Sequence, residues 1–81
     1  MSQTYRIHWF GLLSERRGLS EETITNDAST AAELYTYLAE NYGIGLTTSD
    51  LRAAVNDGFV PWHHPLNDGD HVAFLPPMSG G

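Results

Sequence analysis

Hydrophobic and polar positions alternate from Thr4 to Phe10, with Tyr5, Ile7 and Trp9 on one side and Arg6, His8 and Phe10 on the other. That alternation predicts a strand. Gly11 breaks it, and Leu12 to Arg17 with Gly18 behind predicts a turn or two of helix closed by a glycine cap. Thr23, Ile24 and Thr25 are β-branched residues in the otherwise polar run Leu19 to Asn26, which suits an exposed second strand antiparallel to the first. Thr30-Ala31-Ala32-Glu33 fits a capping box, in which the threonine oxygen accepts from a free amide of the first turn and the glutamate reaches back. A helix is expected to start there. Ala31, Leu34, Tyr35, Leu38 and Tyr42 recur at helical spacing and form one apolar stripe, with Gly43 as the C-cap.

Ile44 to Asp50 reads as a polar loop, after which Leu51, Ala53 and Val55 alternate with Arg52, Ala54 and Asn56 as a third strand. Asn56-Asp57-Gly58 is a turn signal. Phe59 to Trp62 has room for a short strand only, and Pro61 marks it as an edge. Pro65 and Asn67-Asp68-Gly69-Asp70 turn the chain again before a final strand, Val72 to Leu75. Such an order closes best as a mixed sheet of about four to five strands wrapped over one main helix, an α+β chain of β-grasp or ubiquitin-like architecture. The last strand should lie beside the first, parallel to it, in the middle of the sheet. One face, with Ile7, Trp9, Val55, Val72 and Phe74, is expected to pack on Leu34 and Leu38. The other carries Phe10 and Leu75, with Phe59 nearby, and has no second helix to cover it. An uncovered apolar patch is a docking surface by default; scattered surface hydrophobes are the plainer alternative.

At 81 residues the chain is one small domain, burying only about 60 % of the surface its unfolded form exposes. A deep active-site cleft is hard to build in such a body, which favours a carrier, subunit or binding module. Ten acidic residues face four arginines and no lysine, for a net charge of −6. That balance argues against nucleic acid and favours a partner with a basic docking surface. Without cysteine there is no disulfide, Fe–S cluster or thiolate zinc site. Met1 to Arg6 lacks the pattern of a signal peptide and no apolar run approaches a membrane span, so a cytoplasmic location away from membranes is expected. His63 and His64 are adjacent, and on a strand they would point to opposite faces, so no metal site is expected there.

The stretch that changes this picture is the last one. Residues 1–75 form the expected domain, and 76–81 an extended tail of Pro76, Pro77, Met78, Ser79, Gly80 and Gly81. Two prolines stop the strand and start a stiff exit, and two glycines can thread a channel too narrow for a side chain. Six residues reach about 18–20 Å at the rise of an extended chain. A frayed terminus or an expression remnant would also end this way. A terminal carboxylate is a poor electrophile until it is activated, for which adenylation by ATP is the usual route. The chain has no Walker-type loop for that, so activation must come from elsewhere.

Ala54-Val55-Asn56, Pro65-Leu66-Asn67-Asp68-Gly69-Asp70 and the run Val72 to Gly81 together resemble the small, sulfur-carrying subunit of molybdopterin synthase. The resemblance is loose over the whole chain and close over the last third. His71 stands where that family often has glutamate, and Met78 where valine is common. By this likeness Gly81 is adenylated by a separate activating enzyme, with ATP used in trans, and takes sulfur from a sulfurtransferase as a thiocarboxylate, with no cofactor bound. The tail then enters the large subunit of a heterotetramer and donates sulfur to precursor Z, a cyclic pyranopterin monophosphate. Catalytic groups other than the thiocarboxylate would come from the large subunit. Phe10, Phe59 and Leu75 match positions where the family presents its apolar contact to that partner. Carriers for thiamine or transfer RNA thiolation, ubiquitin-like modifiers, and an interaction module with an idle tail stay open beside this reading. The lack of lysine would spare an activated C-terminus from acylating its own side chains, unless compositional drift is the whole cause.

Overall fold

A computed structural model describes residues 2–76. The first strand, β1 (Gln3–Trp9), buries Tyr5, Ile7 and Trp9 and exposes Arg6 and His8, as its alternation requires. Phe10 lies just past its end, where its amide donates to the Phe74 carbonyl at 3.3 Å. Helix α1 (Leu12–Arg17) buries Leu13 and ends on Gly18. Strand β2 (Glu21–Asn26) pairs antiparallel with β1.

Helix α2 (Ala31–Tyr42) starts at Thr30, whose Oγ1 accepts from the Glu33 amide at 3.2 Å. The Glu33 carboxylate reaches back one residue further than expected and accepts from the amide and hydroxyl of Ser29. The free amides of Ala31 and Ala32 donate to the carbonyls of His64 and Trp62, so the loop after the fourth strand finishes the cap. Ala31, Leu34, Tyr35 and Leu38 are buried. Tyr42, expected in the same stripe, is exposed instead, with the Arg17 guanidinium 3.6 Å above its ring.

Beyond Gly43 the polar-loop expectation gives way. Ile44 is fully buried, its amide donating to the Ala39 carbonyl in the manner of a Schellman cap. A single 3₁₀ turn, Thr48–Asp50, precedes β3 (Arg52–Val55), so Leu51 packs at a cap and not in the strand. Strand β4 is only Gly58–Val60 and stops before Pro61, and β5 spans His71–Leu75. The sheet order is β2-β1-β5-β3-β4, with β5 parallel to β1 and antiparallel to β3. Phe74, at the centre of the buried face, has its ring 5.2 Å from those of Trp9 and Tyr35 and stacks on Trp62 at 6.1 Å.

Candidate docking face and tail root

Residues that point away from α2 form the sheet's second face. Register puts His8, Ala73, Ala54 and Phe59 in one row across β1, β5, β3 and β4, and sets Leu75 beside Arg52 in the next. Phe10 stands past the end of β1, stacked on the His8 ring at 4.1 Å. Among the described residues no element crosses this face. A shallow groove of about 250 Å³ is left there, and Phe10, Phe59 and Leu75 all line it. Phe59 is 65 % exposed and Phe10 39 %, far more than their transfer energies favour for isolated rings. The three expected contact residues are thus brought together on one open surface.

Tail geometry begins at the same place. Leu75 ends β5, and Pro76 passes close to Gly11, where a Cβ would come within 3.1 Å of the proline Cγ. Gly11 also has φ +54, a conformation that side chains disfavour. Pro77, Met78, Ser79, Gly80 and Gly81, the remainder of the expected tail with the expected site of activation at Gly81, lie outside the described residues.

Charge is distributed differently from what composition suggested. Arg6 lines the groove with Glu21 and Asp57, and Arg52 is exposed on the same face beside Leu75, so the two arginines offset those two carboxylates and the net −6 of the chain belongs to its other surfaces. The other two arginines are engaged within the fold: Arg16 donates to the Ile44 carbonyl at 2.7 Å, and Arg17 pairs with Glu22. Burial pushes the Glu22 carboxyl up, but hydrogen bonds from Arg17 and Trp9, with the Arg17 charge, more than offset it and hold the group below its ordinary value.

His63 lies in a turn and His64 just after it, so the opposite-faces argument from a strand does not apply. Among the described residues no three His, Asp or Glu side chains converge as a metal site would need, and no helix is long and apolar enough to cross a membrane. Sequence reading missed Arg52 at the tail root and the buried carboxylate of Asp70. The latter accepts from the Asn67 amide and the Asn56 side chain and fastens the turn before β5. The Asn67-to-Asp70 spacing was its one available signal.

Comparison with known proteins follows the same lines. Residues 7–81 match the ThiS family. The chain is 34 % identical over 79 residues to the molybdopterin synthase sulfur carrier subunit of Escherichia coli strain K12, covering 94 % of this chain and 98 % of that one. Its fold is similar to a chain in the protein–protein complex of subunits 1 and 2 of molybdopterin-converting factor from Helicobacter pylori 26695. That match has a TM-score of 0.66 and 29 % identity, over 98 % of this chain and 100 % of the other. Small archaeal modifier protein 1 from Methanosarcina acetivorans superposes with a TM-score of 0.82 over 100 % of this chain and 99 % of its own. At 18 % identity that likeness speaks for the β-grasp fold alone.

Proposed function

The chain belongs to the ThiS family, as a sulfur carrier of the molybdopterin synthase small-subunit type, and from that premise we propose that the carboxylate of Gly81 is its working group. An activating enzyme transfers AMP from ATP to that carboxylate and releases pyrophosphate. A sulfide equivalent from a sulfurtransferase then attacks the acyl carbon and expels AMP, leaving a thiocarboxylate. Its sulfur passes to precursor Z in the large subunit of molybdopterin synthase, within a heterotetramer, and hydrolysis restores the carboxylate. The chain supplies the nucleophilic sulfur and the docking surface; the remaining catalytic groups are the partner's.

The observation that carries this reading is that Phe10, Phe59 and Leu75 line one groove, and that Leu75 is the residue from which β5 hands the chain to Pro76. A surface that is apolar, open and next to the tail suits a partner that must grip the body while the end is threaded. The test is intact mass after incubation with the activating enzyme, ATP and a sulfur source. The increment for sulfur replacing one oxygen is expected, and its absence under conditions that load the Escherichia coli carrier would remove the proposal.

A further inference from the structure

Arg52 stands at the root of the tail. Its Cα is paired with that of Leu75 across β3 and β5, and its guanidinium carbon lies 5.7 Å from the centre of the Phe59 ring. Both neighbours belong to the apolar strip, and Arg52 has no ion-pair partner among the described residues. Any surface that covers Phe59 and Leu75 therefore also takes water from this guanidinium. A desolvated guanidinium needs acceptors, and its planar fork fits a carboxylate through two parallel hydrogen bonds.

We propose that the partner surface seated on Phe10, Phe59 and Leu75 carries a carboxylate that pairs with Arg52. This rests on the docking reading above and adds the partner's chemistry to it. The other charges of the face stand further from the tail. Glu21 is on the edge strand β2, Asp57 is in the turn at the opposite end of β3, and Arg6 sits in the row of His71. Elsewhere the body is acidic, so a carboxylate-bearing partner is repelled by the wrong faces and accepted by this one, which selects orientation as well as affinity.

The test uses the full chain and the purified molybdopterin synthase large subunit of the same organism, with dissociation constants measured at low and high salt. Arg52→Gln is expected to weaken binding about tenfold or more, chiefly through faster dissociation, and Arg52→Glu further. Wild-type affinity should fall with salt more steeply than that of Arg52→Gln. One Asp or Glu to Arg substitution in the large subunit should restore binding to the Arg52→Glu variant. Circular dichroism checks that both variants fold, as expected for an exposed position. Arg52→Glu binding within about twofold of wild type overturns the proposal. So does self-association of the chain that Arg52→Glu abolishes, since the occupant would then be a second copy. Leu75→Glu separates the two levels: if it too binds normally the docking reading falls, whereas its loss of binding beside an unaffected Arg52→Glu sinks the carboxylate alone.

Discussion

Arg17 meets Glu22 fork to fork, Nε donating to Oε2 at 2.7 Å and an Nη to Oε1 at 2.8 Å, while the Trp9 indole donates to the same carboxylate at 2.7 Å. The pair ties α1 to β2 with both side chains mostly covered, so its hydrogen bonds are weakly screened. Glu22→Gln should cost about 2 kcal/mol at neutral pH, measured by urea unfolding. Because the folded carboxyl titrates below its ordinary value of 4.5, its contribution is complete above that pH and is lost as pH falls through the lower folded value. The Glu22→Gln protein should accordingly lose less stability than wild type between neutral and strongly acidic pH. An equal loss in both would show that the carboxylate's ionisation does not matter to the fold.

Phe59 projects from a three-residue edge strand and is largely exposed. Phe59→Ser is therefore expected to change unfolding free energy by less than about 0.5 kcal/mol. On binding to the large subunit it should weaken affinity by about tenfold or more, as loss of an aromatic anchor does. Calorimetric titration beside thermal unfolding distinguishes the two effects.

Deleting Gly80 and Gly81 should leave stability within about 0.5 kcal/mol of wild type, since among the described residues the core runs from Tyr5 to Phe74. Sulfur loading, read by intact mass, should vanish. Retained complementation of a strain lacking the carrier would place the reactive group elsewhere.

Asn56 and Asp57 both have positive φ, +50 and +74, in the tight turn between β3 and β4. Asp57 adopts a conformation that glycine tolerates better, and Asn-Gly is the favoured pair for this turn. Asp57→Gly is expected to stabilise the fold by about 0.5 kcal/mol. A lower melting temperature would contradict the assigned turn.

Local signals were strong for β1, for the Thr30 cap and for β5, because alternation and capping depend on residues close in sequence. The parallel placing of β5 beside β1 followed from having one helix to cross. What escaped depended on distant contacts. Ile44 looked like loop, although an apolar residue directly after a glycine C-cap is the mark of a Schellman contact. Tyr42 fitted the stripe by spacing, yet Arg17 from another helix holds it outside. Trp62 read as strand, but its carbonyl serves the first turn of α2 and its ring stacks on Phe74. Phe10, Phe59 and Leu75 were legible as apolar residues turned away from the helix, and they do line one groove, while Arg52 needed the β3–β5 register to be seen beside them.

The strand that gives rise to the tail is not an outer one: β5 is bonded to β1 on one side and to β3 on the other, and runs parallel to β1. A tug on the far end is thus resisted in shear by two rows of hydrogen bonds that must yield together, where an outer strand would peel bond by bond. If the end is drawn into a partner as proposed, the pull falls on a strand anchored on both sides and need not unravel the domain.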